Sequence, residues 1–200
     1  MLKLLVPIAV LLASVLGGWL GLQQAKAAVR NVGDISSSFE TSPGQWRFSD
    51  TVGSEAATPM ERARIAIGGP LGLSATETIY FLTLEDSKGA KFSSTCEYQV
   101  SGGAFDARWW SITIYDGETQ AYIANKDNRS SWNSVALARE AEGPWQFTIA
   151  SKPPASGLWL PSQVEPSQSF ELLLRLYNPS PQTRAKAPVL EMPRVEKISC

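Results

Sequence analysis

The clearest alternation of side chains lies in residues 104–115, which read A-F-D-A-R-W-W-S-I-T-I-Y. From Trp109 onward, successive side chains point to opposite faces of an extended strand. Trp109, Ser111, Thr113 and Tyr115 share one face, and Trp110, Ile112 and Ile114 share the other. Both faces are largely apolar or aromatic, which is typical of a strand buried on both sides. We therefore expect this strand at the centre of a sheet sandwich.

The same period-two pattern predicts strands over residues 91–100 and 170–177, the β-rich composition of residues 78–84 predicts another, and turn residues predict two more at 119–124 and 145–150. The turn residues 85–89 predict that residues 78–84 and 91–100 form a hairpin. Asp116-Gly117 predicts that residues 119–124 pair with the central strand across a tight turn. Six or more short strands separated by turn signals favour an all-β, antiparallel sandwich.

One short helix is predicted within this domain. Thr58 is a candidate N-cap, Pro59 suits the first helical position, and Glu61 stands where a capping box requires it. The helix is expected over residues 60–67, ending at Gly68-Gly69. The sandwich should span residues 46–200, preceded by a linker at residues 29–45 that is rich in serine, glycine and proline.

The N-terminal region, residues 1–28, contains an uncharged apolar run over residues 4–22. As a helix this run would reach about 28 Å, close to the roughly 30 Å hydrocarbon core of a bilayer. We favour an uncleaved anchor that places the domain on the periplasmic side of the cell inner membrane. The alternative is a signal peptide cleaved near Ala27, because Ala25-Lys26-Ala27 matches the small-x-small pattern. That alternative would leave a secreted or periplasmic protein.

Composition narrows the classes of function. The chain has 44% hydrophobic and 18% charged residues, which describes a globular protein, and its net charge is -1. No run of lysine and arginine forms the basic stripe that a nucleic-acid partner requires. The chain contains no histidine, which removes Ser-His and Cys-His catalysis and the common zinc ligand sets. No metal or cofactor is predicted.

Several separated motifs resemble the DUF1214 family of unknown function. They are the segment R-W-W-S-I-T-I-Y-D at 108–116, Asn125 with N-R-S at 128–130, L-W-L-P at 158–161, L-R-L-Y-N-P at 174–179, and Pro193. Upstream, R-A-R at 62–64, Gly68-Gly69, Glu77 and Tyr80-Phe81 are similar to the short, membrane-anchored members. The resemblance covers roughly residues 46–200 and implies a jelly-roll-like β-sandwich. It implies no established reaction, and fold transfers better than activity.

Candidate ligand-binding residues come from arginines and aromatic side chains. Arg108, Arg129 and Arg175 would bind an anion if they converge, whereas the alternative is that they stack on tryptophans or pair with acids. Exposed tryptophans would bind sugar rings, but core packing is the favoured use, with Trp132 and Trp159 expected to be the most exposed. The predicted ligand-binding set is Arg108, Trp109, Tyr115, Asn125, Arg129, Trp159, Arg175 and Tyr177.

Carboxylates offer the remaining route to chemistry. A glycosidase uses a pair of carboxylates, and the candidate pairs are Asp106 with Asp116 and Glu97 with Glu171. The spacing along the chain does not single out either pair. Asp116, Glu118 and Asp127 would supply oxygens for calcium, but they do not match an EF-hand loop, and ordinary turn acids are the alternative.

The two cysteines, Cys96 and Cys200, are predicted to form a disulfide. Both interpretations of the N-terminus place the domain in an oxidising compartment, where an even cysteine count usually means pairing. The bond would fasten a C-terminal tail with no evident means of holding itself to the sandwich. The alternative is two free thiols, one buried and one exposed.

Three functions remain open from sequence. The favoured hypothesis is a membrane-tethered envelope module that binds a small molecule, a glycan or a partner protein without catalysis. The second is a carboxylate-dependent glycan hydrolase or lyase, and the third is a purely structural interaction domain. They differ in whether a concave pocket exists and which side chains line it.

Overall fold

The computed structural model describes residues 2–32, 38–41, 45–49, 51–68, 72–140, 143–162 and 169–200. Those ranges contain four α-helices: α1 (Leu2–Val32), α2 (Pro59–Gly68), α3 (Ser134–Glu140) and α4 (Pro181–Ala185). The first five strands are β1 (Glu40–Thr41), β2 (Arg47–Ser49), β3 (Thr78–Thr83), β4 (Glu97–Gly102) and β5 (Ala107–Asp116). The remaining strands are β6 (Ser131–Asn133), β7 (Trp145–Ala150), β8 (Trp159–Pro161), β9 (Phe170–Pro179) and β10 (Arg194–Ser199).

The strands form two sheets. One has six strands in the order β1-β2-β3-β9-β5-β6, and the other has four in the order β10-β4-β7-β8. All described pairs are antiparallel except β7 with β8, which is parallel. The sandwich prediction is confirmed, and the all-antiparallel prediction is wrong for this one pair. The jelly-roll-like topology that the resemblance implies stays a prediction.

The predicted central strand is β5, and its main partner is β9. The two pair from Ala107 opposite Pro179 to Asp116 opposite Phe170. Both are buried on both faces over most of their length, as the alternating apolar pattern predicted. Their inner side chains, including Trp110, Ile112 and Ile114, enter the main core between the two sheets, with exposed fractions of 3%, 0% and 0%.

The outer face of the six-stranded sheet is also covered. A second cluster there joins Tyr80, Leu82, Tyr115 and Leu173 to Val52 and Phe39, with Ile65 of α2 packed against it. The capping box that positions α2 is present, because Glu61 N–H donates to Thr58 Oγ1 and Thr58 N–H donates to a Glu61 carboxylate oxygen. These backbone and side-chain hydrogen bonds lower the pKa of Glu61.

The predicted hairpin between residues 78–84 and 91–100 is wrong. β3 belongs to the six-stranded sheet and β4 to the four-stranded sheet, and only the isolated bridge between Glu85 and Lys91 joins the two segments. The turn itself forms, with the Asp86 carboxylate accepting from Lys88 N–H and Ala90 N–H. After this turn the chain crosses from one sheet to the other, because each strand buries its apolar face from the opposite side of the core.

Two other sequence predictions require correction. Residues 119–124 make a single bridge, Tyr115 with Tyr122, rather than a strand. The domain contains α3 and α4 besides α2, so a single short helix is wrong. Within the predicted linker, Phe39 is buried and β1 pairs with β2, so this part of the chain packs against the sheet. Residues 33–37 and 42–44 of that linker lie outside the described residues.

The N-terminal apolar run forms α1. Residues Val6–Gln24, 19 in number with a mean hydropathy of 1.8, are long and apolar enough to cross a bilayer. None of this stretch is buried against the rest of the protein. α1 contacts α2, which covers the outer face of the six-stranded sheet.

The predicted disulfide between Cys96 and Cys200 is confirmed, with Cα atoms 3.9 Å apart. The expectation that the tail lacks its own attachment is wrong, because β10 pairs with β4 from Arg194 opposite Ser101 to Ser199 opposite Glu97. The bond therefore fastens the end of an edge strand that is already held by a hydrogen-bond ladder.

Replacing Trp110 by Ala should lower the free energy of unfolding by about 3–5 kcal/mol, since the indole is buried in the main core. The matched control is Trp109→Ala, which removes a partly exposed indole from the outer face and should cost less. Urea unfolding of both variants in mild detergent measures the difference. A Trp110→Ala variant as stable as wild type would contradict the core assignment.

Reducing the disulfide should lower the free energy of unfolding by about 2–4 kcal/mol, because an unfolded loop of 104 residues is released. Urea unfolding with and without reductant measures this. The Cys96→Ser/Cys200→Ser double variant should not respond to reductant. Two reactive thiols per chain in unfolded, unreduced protein would show that the bond is absent.

Candidate functional site

Four of the predicted ligand-binding residues come together on the outer face of the six-stranded sheet. Trp109 is paired with Tyr177 across β5 and β9, and their rings lie 4.9 Å apart. Arg175 and Tyr115 are on the same face, and Arg175 is opposite Ser111 in the register. The grouping follows from the alternation of side chains along two paired strands. All four residues have odd numbers, and the register of β5 with β9 places odd-numbered side chains of both strands on the same face.

Arg175 is buried on this face and bound by hydroxyl groups. Its guanidinium donates to Thr113 Oγ1 at 3.0 Å and to the Tyr115 hydroxyl at 2.6 Å. Burial raises the pKa of Tyr115 to about 12, and the nearby positive charge of Arg175 opposes this increase only in part. Tyr122 stacks on Tyr115 at 5.1 Å. Arg175 therefore uses two of its donors within the protein, and the network is a stabilising cluster.

Three other predicted residues hold a loop against β8. The Asn125 amide donates to the carbonyls of Ile123 and Arg129 and accepts from Arg129 N–H. The Arg129 guanidinium lies 4.6 Å from the Trp132 ring and donates to the Trp159 carbonyl. The structure therefore does not bring Arg129 together with Arg175. Trp132 is 9% exposed, so its predicted exposure is wrong, while Trp159 is partly exposed.

The carboxylate pairs do not form dyads. Asp106 and Asp116 flank one extended strand and are about 33 Å apart along it. Glu97 lies on the solvent side of the four-stranded sheet, whereas Glu171 is buried on the outer face of the other sheet. Asp116 accepts from Glu118 N–H and from Thr119, which makes it a turn acid. Among the described residues, no cluster of acids, histidines and cysteines suits a metal ion.

A concave pocket of about 630 Å³ opens at one end of the sandwich, and we call it the end pocket. The start of β5, helix α3, the start of β7 and the β4–β5 connection surround it. Its described lining residues are Gly103, Ala104, Phe105, Ala107, Arg108, Trp110, Ser134, Leu137, Ala138, Gly143, Pro144 and Trp145. This volume lies within the range of small-molecule sites.

Aromatic rings form the inner wall of the end pocket. Trp110 and Trp145 have ring centroids 5.1 Å apart, and Phe105 meets Trp110 edge to face at 5.5 Å. The Trp145 indole N–H donates to the Gly103 carbonyl at 2.7 Å, which fixes the β4–β5 connection against the ring. A Cβ at Gly102 would lie 2.7 Å from the Trp145 ring, so this close approach requires glycine.

The polar groups of the end pocket are few. Arg108 is exposed at the mouth, and it is the one charged side chain among the described lining residues. Within the described parts of the chain, its guanidinium has no hydrogen-bond or ion-pair partner. Ser134 Oγ accepts from Trp110 N–H at 3.3 Å, which leaves its own proton for another acceptor. A larger neighbouring depression of about 890 Å³ runs over polar residues such as Gln99, Gln146 and Thr148.

Sequence reasoning selected Arg108 but missed the other walls of the end pocket. The missing element was α3, which supplies Ser134, Leu137 and Ala138. Its signal was present, because Asn133 is an N-cap whose side chain accepts from Val135 N–H and Ala136 N–H. Alanine, leucine and glutamate after it favour a helix, but the segment is only one and a half to two turns long.

The model of the family described as protein of unknown function, DUF1214, matches residues 77–181, slightly more than half of the chain. The chain belongs to the DUF1214 family. The matched segment begins just before β3 and extends into α4, so it contains the central β5–β9 pair. It also contains every described residue that lines the end pocket, which makes that pocket part of the family domain.

One solved structure shares the fold of this DUF1214 chain, and a second matches more weakly. The crystal structure of the VPA0106 protein from Vibrio parahaemolyticus matches with a TM-score of 0.55 and 22% identity, covering 72% of this chain and 36% of that one. An uncharacterized protein from Burkholderia cenocepacia matches with a TM-score of 0.40 and 17% identity, covering 86% and 40%. The chain thus spans well under half of either protein. No curated protein matches it.

Tyr115→Phe should lower the free energy of unfolding by about 1.5–3 kcal/mol, because Arg175 would keep its buried charge but lose one acceptor. The control Tyr177→Phe, at a partly exposed position on the same face, should change stability by less than about 0.5 kcal/mol. Denaturant unfolding at pH 7 compares the two. Equal stabilities would contradict the assigned role of the Tyr115 hydroxyl.

The pH dependence gives a second readout of the same variant. The pKa of Tyr115 is raised from 10.0 to about 12 in the folded protein, so the folded state binds the phenol proton more tightly than the unfolded state does. The resulting contribution to the free energy of unfolding is fully present below pH 10. That contribution is lost as the pH rises from 10 to 12. The alkaline loss of stability should therefore be smaller in Tyr115→Phe than in wild type.

Proposed function

We propose that this DUF1214 protein is a membrane-tethered module of the cell envelope that binds a small molecule in the end pocket without catalysing a reaction. The observation that carries this proposal is the concave aromatic wall of Phe105, Trp110 and Trp145. Small-molecule sites are typically apolar concavities with a small number of polar groups that orient the ligand. The end pocket has that character.

The side chains of the end pocket favour binding over proton transfer. Its described lining residues include one guanidinium and one hydroxyl but no carboxylate, and the whole chain has no histidine. General acid–base chemistry needs a titratable group within reach of the substrate. The glycan hydrolase alternative is not supported by the carboxylate positions, since Asp106 and Asp116 lie far apart along β5.

The proposed location is the periplasmic side of the cell inner membrane, with α1 as the anchor. The 19-residue apolar stretch in α1 supports attachment to a bilayer. The Cys96–Cys200 bond supports an oxidising compartment for the domain that the sequence places at residues 46–200. Cleavage near Ala27, which would release the domain, is the alternative.

A pocket-filling variant tests the binding proposal. Gly103 lines the end pocket and a Cβ there would have no atom within 4 Å, so Gly103→Leu should add apolar bulk at the pocket's edge without displacing its walls. We expect small aromatic and aliphatic compounds from a thermal-shift screen to stabilise the full-length wild type in mild detergent. A compound at a hundred times its Kd adds about 2.7 kcal/mol, and Gly103→Leu should lose this gain.

The matched control is Ala124→Leu, which adds apolar bulk at an exposed position outside the end pocket. This variant should keep the stabilisation by every compound. Compounds that stabilise Gly103→Leu as strongly as wild type would contradict the assignment of the site. A screen in which no compound stabilises wild type would contradict the function itself.

A further inference from the structure

We propose that the end pocket selects a small organic carboxylate, whose anionic group binds Arg108 while its aromatic or branched apolar body lies against the tryptophans. This inference rests on the proposed binding function and names the chemical class of the ligand. Its basis is the juxtaposition of Arg108, which has no partner among the described residues, with an aromatic wall in a pocket of about 630 Å³.

Arg108 has no hydrogen-bond or ion-pair partner among the described residues, in contrast to three other arginines of the domain. The buried Arg175 donates to two hydroxyls, Arg129 lies on Trp132, and Arg184 donates to the carbonyls of Ala75 and Thr76. These three side chains hold the fold together. No described residue takes up the donors of Arg108, so they are available for a ligand, and a guanidinium matches the two oxygens of a carboxylate.

The register of β5 places the charge correctly for an amphipathic ligand. Arg108 and Trp110 are two residues apart on one strand and therefore share a face, at about 7 Å along it. Arg108 is exposed at the mouth, whereas Trp110 is only 3% exposed and forms the wall deeper in the pocket. A ligand held at both places must carry its charge at one end and apolar surface at the other.

Ser134 supplies a second polar contact near the same wall. Its hydroxyl accepts from the Trp110 backbone N–H and has its own proton available for a carboxylate oxygen. An inorganic anion would find these two donors but would leave the apolar wall uncovered. The apolar residues Phe105, Leu137 and Trp145 therefore favour an organic anion over phosphate or sulfate.

The experiment compares two probes of nearly equal shape, one with a negatively charged head group and one with a neutral head group. They are 2-naphthylacetate and its neutral isostere 2-naphthylacetamide, titrated into the full chain in lipid nanodiscs, with empty nanodiscs as the blank. Fluorine NMR of protein labelled with 5-fluorotryptophan reports binding at Trp110 and Trp145 separately from Trp19 in α1. Substitution of single tryptophans by phenylalanine assigns the resonances.

We expect both pocket resonances to shift, with the carboxylate binding about tenfold more tightly than the amide, which corresponds to about 1.4 kcal/mol. Arg108→Gln should remove this preference without changing the affinity for the amide. Arg108→Lys should keep part of the preference, because it retains charge but not the bidentate geometry. Lys126→Gln, which removes an exposed charge outside the end pocket, should behave as wild type.

Each contrary result has a distinct meaning. Equal affinities of both probes for wild type, with shifts at Trp110 and Trp145, overturn the charge selectivity and leave the binding function standing. A loss of amide binding in Arg108→Gln, or an equal loss of carboxylate binding in Lys126→Gln, overturns the role of Arg108. If neither probe shifts the pocket resonances, the proposed ligand class is wrong. The thermal-shift screen with wild type and Gly103→Leu then tests the binding function independently of the ligand class.

Discussion

The pairing of β5 with β9 is the interaction on which the remaining structure depends. These two strands run antiparallel from Ala107 opposite Pro179 to Asp116 opposite Phe170 in the middle of the six-stranded sheet. Their backbone groups are satisfied by each other and by β3 and β6, so side chains on both faces can be apolar. Because both faces exclude water, the protein needs a covering layer on each side.

That requirement explains the asymmetry of the two sheets. The four-stranded sheet covers the inner face, and its own outer side is polar, with Gln99 and Gln146 joined by an amide hydrogen bond. The outer face of the six-stranded sheet is covered by the second cluster and α2. Arg175 is tolerated there because Thr113 and Tyr115 accept its hydrogen bonds, since a buried charge without partners would cost several kcal/mol.

The end pocket arises where the two sheets separate at the start of β5. Gly102 and Gly103 bring the chain close to Trp145, and α3 closes the other side, so the space is framed by elements from both sheets. The rings of this frame pack against each other, and the β4–β5 connection is held by the Trp145–Gly103 hydrogen bond. Preorganised walls of this kind reduce the cost of ordering a bound ligand.

The sequence by itself determined the features that depend on neighbouring residues. These are the two apolar faces of β5, the capping box of α2 and the apolar helix α1. The disulfide was also predictable, because the chain has two cysteines and its N-terminal region indicates an oxidising compartment. Only the tertiary structure decided that β3 and β4 lie in different sheets. Every strand offers the same backbone donors and acceptors, and the alternation of side chains does not specify which strand pairs with which. The tertiary structure also decided which predicted arginines lie near each other. Arg175 lies on the covered outer face of the six-stranded sheet and Arg108 on the opposite face. There α3, which the sequence analysis did not predict, completes the end pocket.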